Sequence, residues 1–215
     1  MQPYLDRLPL IAILRGVEPG EVVAIGEALV TAGFAIIEIP LNSPRPFESI
    51  RRLQEVLGAS TLIGAGTVMT TDDVARVAEA GGRLIVMPHC DATIVSGAKE
   101  RGMACVPGVA TPTEGFAALR CGADGLKLFP AELVSPSVVR AMRSVFPHDV
   151  RLFPVGGITP HNMEDYVRAG ASGFGLGSAL YKRGDGLDAV AVNAAAFVAS
   201  WRRLTSGTAN VSAVT

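Results

Sequence analysis

Short apolar runs recur along the chain and alternate with longer stretches whose apolar residues are spaced as on one face of a helix. The runs are Pro9–Leu14, Ala35–Ile39, Thr61–Ala65, Leu84–Met87, Ala104–Val106, Gly125–Leu128, Arg151–Val155 and Gly173–Leu176. Each leads into a loop of Gly, Pro, Ser, Thr or Asp and then into a helical pattern. Successive runs start about 20–26 residues apart, the length of one strand, loop and helix unit. Helix starts are predicted at Thr71-Asp72-Asp73 and at Thr159-Pro160, a cap followed by proline. Helix ends are predicted at Ala32-Gly33, Ala80-Gly81, Arg101-Gly102 and Ala169-Gly170.

A run apolar on both faces, such as Leu10–Leu14, suits a strand buried between an inner core and a helix layer. Eight units in strictly alternating order predict an α/β protein, a single (β/α)8 or TIM barrel. An open doubly wound sheet would want a glycine-rich turn after the first strand, and Arg15-Gly16-Val17-Glu18-Pro19 offers one glycine. The 215 residues suffice for one domain, somewhat under the ~250 typical of such barrels, so little is inserted. The barrel is expected over residues 1–204, with the small, polar 205–215 stretch as a flexible tail.

Composition narrows the function. A hydrophobic fraction of 49% with 18% charged residues describes a globular chain with a large core. A net charge of −1 provides no general attraction to nucleic acid or anionic lipid, so neither is expected as a partner, and any anion must be held by a local site. Cys90, Cys105 and Cys121 have no paired spacing. No apolar run approaches ~18 residues, no signal-peptide pattern opens the chain, and a cytoplasmic location is expected.

In such a barrel, chemistry belongs where strands end and loops begin. The strand ends present Arg15, Glu38, Thr67, Pro88-His89, Lys127 with Phe129, and two glycine-rich turns. Lys127 is one of only three lysines and interrupts the apolar Gly125-Leu126-Lys127-Leu128-Phe129-Pro130. Burying an ammonium is costly, and an apolar site favours the neutral amine, a nucleophile for carbonyl carbon. The bland alternative is a lysine that reaches out to solvent. Glu38, inside Ile36-Ile37-Glu38-Ile39-Pro40, is either a general acid/base with raised proton affinity or half of an ion pair with Arg15. The turns at Gly156-Gly157 and Gly177-Ser178 follow the seventh and eighth strands, where barrels hold phosphate on backbone N–H groups. His89, His148 and His161 lack metal-ligand spacing; His148 and His161 read as exposed loop residues, and the residue after Pro88 reads as a helix start. No metal and no cofactor are expected.

These motifs, from about Leu8 to Leu204, resemble the family of 2-keto-3-deoxy-6-phosphogluconate and 2-keto-3-deoxy-6-phosphogalactonate aldolases. The resemblance is carried by Ile11-Ala12-Ile13-Leu14-Arg15-Gly16, Glu38, Gly64-Ala65-Gly66-Thr67-Val68, Leu126-Lys127-Leu128-Phe129-Pro130 and Val155-Gly156-Gly157-Ile158. Glu38-Ile39-Pro40-Leu41-Asn42-Ser43-Pro44 is similar to the phosphogalactonate branch. Pro40 and Asn42 stand where the phosphogluconate branch has threonine and arginine, which leaves much of the anion binding to Arg15.

The resemblance implies a class I aldolase acting on a phosphorylated keto-deoxy sugar acid, in a homotrimer. Lys127 would form the Schiff base and Glu38 would move the protons. Arg15, Thr67, Pro88 and Phe129 would enclose the pyruvyl end, and Gly156, Gly157, Gly177 and Ser178 the phosphate. The alternatives are a phosphogluconate aldolase, a barrel isomerase or epimerase without a covalent intermediate, and a non-catalytic sugar-phosphate-binding barrel.

Overall fold

Every apolar run forms a strand, and every strand pairs in parallel with its neighbours. The computed structural model describes residues 1–209, with side chains through residue 206. A short helix, α1 (Gln2–Leu5), precedes the first unit, β1 (Leu10–Ile13) and α2 (Val22–Ala32). Then come β2 (Ile36–Pro40), α3 (Pro46–Leu57), β3 (Leu62–Gly66), α4 (Thr71–Glu79), β4 (Leu84–Val86) and α5 (Ala92–Glu100). The second half holds β5 (Ala104–Val106), β6 (Gly108–Val109), α6 (Pro112–Arg120), β7 (Leu126–Leu128) and α7 (Pro136–Arg143). It ends with β8 (Leu152–Pro154), α8 (Met163–Arg168), β9 (Phe174–Leu176) and α9 (Leu187–Ala209).

The strands form a curled six-stranded sheet, β5-β4-β3-β2-β1-β9, and a three-stranded sheet, β6-β7-β8. Backbone hydrogen bonds cross between the two. The Asp124 and Lys127 N–H groups donate to the carbonyls of Cys105 and Pro107, each at 2.9 Å. At the other seam the Ser172 N–H donates to Leu152 at 2.8 Å, and Val155 bridges Gly175. The fifth run, Ala104–Val106, forms β5 as expected; Pro107, which has no N–H to give a ladder, separates it from β6, a further short strand that the sequence pattern does not predict.

Side-chain alternation sorts the core into two layers. Ile11, Ile36, Leu62, Leu84, Val86, Ala104, Val106 and Phe153 face inward, and Leu5 of α1 packs beneath them. The intervening residues, among them Ile37, Ile39, Leu126 and Leu128, pack outward against the helices.

Helix ends follow the sequence with three corrections. Thr70, not Thr71, caps α4, accepting the Asp73 N–H at 3.1 Å. Asp91 caps α5, so the helix begins at Ala92, three residues beyond His89. Thr159-Pro160 does not start α8: the Asn162 side chain accepts the Thr159 N–H at 2.9 Å, closing a local turn, and the helix begins at Met163. Gly33, Gly81, Gly102 and Gly170 have positive φ at helix ends, as expected. Of the tail expected at 205–215, residues 205–209 continue α9, and residues 210–215 lie outside the described residues.

Candidate active site

The same alternation decides which polar groups meet. Ile36 faces inward, so Glu38, two residues on, does too. Leu126 and Leu128 face outward, so Lys127 between them faces inward. Both are buried, Glu38 with 1% and Lys127 with 5% of its surface exposed. They thus sit within the inner core at the end where the strands give way to loops.

Burial dominates the chemistry of this pair. Desolvation pushes the Glu38 carboxyl up to about 7, although the positive charges of Lys127 and then Arg15 pull it down. Desolvation also lowers the Lys127 ammonium; Glu38 opposes that shift, and Arg15 assists it. Each group is therefore easier to hold neutral than in water. The Lys127 Nζ stands 4.6 Å from the centroid of the Phe129 ring. Glu38 Oε2 is buried with no hydrogen-bond partner among the described residues. Burying a carboxylate oxygen unsatisfied is expensive, which marks it as a group waiting for a ligand.

Lys127 opens into a cavity of about 390 Å³. Arg15, Phe129, Gly156, Gly157, Gly177 and Ser178 share its wall, so seven of the ten expected site residues meet there. Gly156 and Gly157 have φ of 114° and 60°, a left-handed turn that glycine adopts without strain. The Gly177 carbonyl accepts the N–H groups of Leu180 at 2.8 Å and Tyr181 at 3.0 Å, forming one helical turn after β9. Gly177 and Ser178, at the start of that turn, line the cavity.

The three remaining residues are not part of this cavity wall. Glu38 is close enough for its charge to act on Lys127. Thr67 is reached through Arg15, whose Nη2 donates to Thr67 Oγ1 at 3.4 Å while Nη1 donates to Asn42 Oδ1 at 2.5 Å. Arg15 thus bridges two loops instead of pairing with Glu38. Pro88, at the end of β4, is not part of this cavity wall.

Sequence reasoning missed Tyr181, Lys182 and Arg183, which also line the cavity. The adjacent cations directly after the Gly177-Ser178 turn were the available signal. It also missed the left-handed backbone of Thr67, φ 56°, a conformation costly for a β-branched residue and without a signature in composition. His148 and His161 are exposed. Among the described residues no three His, Cys, Asp or Glu side chains converge as a metal site, and no helix is long and apolar enough to cross a membrane.

Comparison with known proteins gives a consistent answer. The model of the KDPG and KHG aldolase family matches residues 1–193. The chain is 46% identical over 205 residues to a protein of Rhizobium meliloti (strain 1021) described as a probable 2-dehydro-3-deoxy-6-phosphogalactonate aldolase, covering 95% of this chain and 96% of that one. It is 44% identical over 199 residues to the 2-dehydro-3-deoxy-6-phosphogalactonate aldolase of Escherichia coli (strain K12), covering 93% and 97%. A solved structure described as native KDPGal superposes with a TM-score of 0.92 at 44% identity, covering 93% of this chain and 97% of that one.

Proposed function

Because this chain belongs to the KDPG and KHG aldolase family, we propose that it cleaves 2-dehydro-3-deoxy-6-phosphogalactonate to pyruvate and glyceraldehyde 3-phosphate through a Schiff base on Lys127. The observation that carries the reading is a buried amine beside a buried carboxyl, both on the inner face, with the amine opening into a cavity.

The neutral Lys127 amine attacks the C2 ketone, and loss of water gives an iminium. That cation accepts the electrons of the C3–C4 bond. Glu38, directly or through water, takes the C4 hydroxyl proton as the aldehyde forms and departs. The remaining pyruvate enamine is protonated at C3 with the help of Glu38, and hydrolysis releases pyruvate and the free amine. Burial serves both groups: it favours the neutral amine at the start and keeps the carboxyl near the pH at which it can accept and return a proton.

Arg15 and Thr67 bind the substrate carboxylate, and Phe129 and Pro88 wall the pyruvyl end. Pro88 takes that place on the parity of Leu84 and Val86, which face inward on the same strand. The Gly156-Gly157 and Gly177-Ser178 turns receive the phosphate. The reading includes one domain over 1–204, a closed eight-stranded barrel and a homotrimer. The cross-sheet hydrogen bonds to Cys105, Pro107 and Leu152 support closure, with β5 and β6 as one interrupted strand. Exposed Phe116, Val138 and Val145 on and beside α6 and α7 give assembly an apolar surface to cover. A phosphorylated substrate does not diffuse through membranes, which accords with the expected cytoplasmic location. Borohydride reduction with pyruvate tests the central claim: one reduced pyruvyl group should appear on the Lys127 peptide and vanish in Lys127→Ala. An adduct at another residue overturns it.

A further inference from the structure

The cavity carries more positive charge than its pyruvyl end requires. Besides Arg15 and Lys127, its wall includes Lys182 and Arg183, in the loop between β9 and α9. That loop has a defined shape. Gly184 turns it with φ 90°, and the Asp185 carboxylate accepts the Lys182 N–H at 2.7 Å. The buried Tyr181 donates its hydroxyl proton to Glu21 at 2.8 Å, tying the loop to the start of α2. The Arg183 stem lies over Gly16, where an added Cβ would stand 3.3 Å from Arg183 Cβ.

The Arg183 guanidinium pairs with one carboxylate. Its Nη2 lies 2.7 Å from Glu18 Oε1, while Glu18 Oε2 is 3.9 Å from Arg45 Nη2. Arg45 also pairs with Glu48 at 3.1 Å, and Glu48 with Arg52 at 2.7 Å. Three guanidinium groups therefore share two carboxylates in a network that reaches the cavity wall through Arg183.

We propose that Arg183 is a ligand of the substrate phosphate and that Glu18 holds it at the cavity wall until the phosphate takes its place. This rests on the phosphate subsite assigned above and adds a charged side chain to a cradle built from backbone. The exchange is physically easy. The Arg183–Glu18 pair is exposed, 67% and 37% by side chain, and exposed pairs are weak. A phosphate offers the planar guanidinium two acceptors in matching geometry, which favours it over a single carboxylate oxygen. Glu18 is not stranded by the exchange, because Arg45 remains beside it.

The test compares the full-length wild type, Arg183→Ala, Arg183→Lys and Glu18→Gln on the phosphorylated substrate and on its dephosphorylated counterpart. Inorganic phosphate serves as a competitive probe. Loss of a charge-assisted contact should raise KM for the phosphorylated substrate about 10–100-fold in Arg183→Ala, with a smaller rise in Arg183→Lys. The dephosphorylated substrate and pyruvate trapping at Lys127 should change less than about twofold. Glu18→Gln, which removes the competing carboxylate, should strengthen inhibition by inorganic phosphate. Equal losses on both substrates would make Arg183 a loop-shaping residue and overturn the proposal, as would unchanged KM and phosphate inhibition. A wild type indifferent to the phosphate would instead remove the whole phosphate subsite, and Arg183 with it.

Discussion

The carboxyl group of Glu38 rests directly on the α-carbon of Gly66 in the neighbouring strand. A Cβ built at Gly66 would overlap both Glu38 oxygens, so the buried carboxyl occupies the space that a side chain would need. Gly66→Ala should therefore displace Glu38 while leaving Lys127 in place. Overpacking of this kind typically costs about 1–3 kcal/mol of stability. The larger effect should be on turnover, reduced by about 10²–10⁴-fold, the usual contribution of a positioned acid/base. Circular dichroism should report an intact fold. Normal turnover in Gly66→Ala would show that the position of this carboxyl is unimportant.

Burial of Glu38 should also be visible in stability. Its folded-state value of about 7 lies above the ordinary 4.5. Between those two values the unfolded chain has lost the proton while the folded chain keeps it, so stability falls as pH rises. The slope is about 1.4 kcal/mol per pH unit, or about 3 kcal/mol over the whole window. The contribution is fully present below 4.5 and gone above 7. Glu38→Gln cannot ionise, so denaturant unfolding should find its stability relative to wild type improving from pH 4.5 to 7. In the wild type, kcat/KM should rise through about pH 7 as the base ionises. A wild-type-to-variant stability difference that stays flat with pH would contradict this.

Thr67 gives a second case in which function and stability pull apart. Its φ of 56° is a left-handed conformation that a β-branched residue adopts only under constraint, at about 1–3 kcal/mol. Glycine fits that conformation but has more unfolded-state freedom to lose, about 0.5–1 kcal/mol relative to alanine. Thr67→Gly should thus melt at the same temperature as wild type or higher. It also removes the hydroxyl that accepts from Arg15, so pyruvate should be trapped less readily. A clear loss of thermal stability in Thr67→Gly would show that the strain assigned to this position is absent.

Chelation offers a simple check on the lysine mechanism. Among the described residues no His, Cys, Asp and Glu cluster has the convergence a divalent ion needs. Activity should survive exhaustive chelation within experimental error. Loss of turnover that zinc alone restores would reverse the assignment.

Much of this site was legible in the sequence because its chemistry interrupts strong patterns. Lys127 and Glu38 stand out as charges within apolar runs, and a strand's alternation then requires each to face opposite to its neighbours. Gly156-Gly157 and Gly177-Ser178 likewise mark the turns after the last two strands. Arg183 left only a weak signal, the pair of cations after the Gly177-Ser178 turn, since a charge in a loop normally denotes a solvated surface. Its contacts with Glu18 and Gly16, from a distant part of the chain, accompany its place in the cavity wall. Thr159-Pro160 misled because a cap and a proline describe a turn as well as a helix start, and Asn162 decided for the turn. The short β6 was not legible, because pairing at Gly108, beyond Pro107, depends on β7 lying alongside.

Substrate choice between the C4 epimers turns on what surrounds Glu38 at the end of β2. Ile36 and Glu38 face inward, so Pro40 has the same parity, one step nearer the mouth. Proline has neither an N–H nor a polar side chain there, so β2 itself offers the C4 hydroxyl no partner other than Glu38. Beyond it, Asn42 accepts from Arg15 at 2.5 Å, which aims the guanidinium and leaves the Asn42 amide nitrogen as a neutral donor. An arginine at position 42 would instead repel Arg15 and provide its own charge. The present arrangement should accept the galacto-configured 6-phosphate well, with the gluco epimer equal or poorer. One hydroxyl shifts the barrier by at most a few kcal/mol, so the preference should be modest and sensitive to this loop. Pyruvate release from both epimers measures it, with Asn42→Asp as a control that keeps an acceptor for Arg15 and removes the neutral donor. A strong gluco preference in the wild type would overturn the role given to Pro40 and Asn42, and an epimer ratio unchanged in Asn42→Asp would remove Asn42 from it.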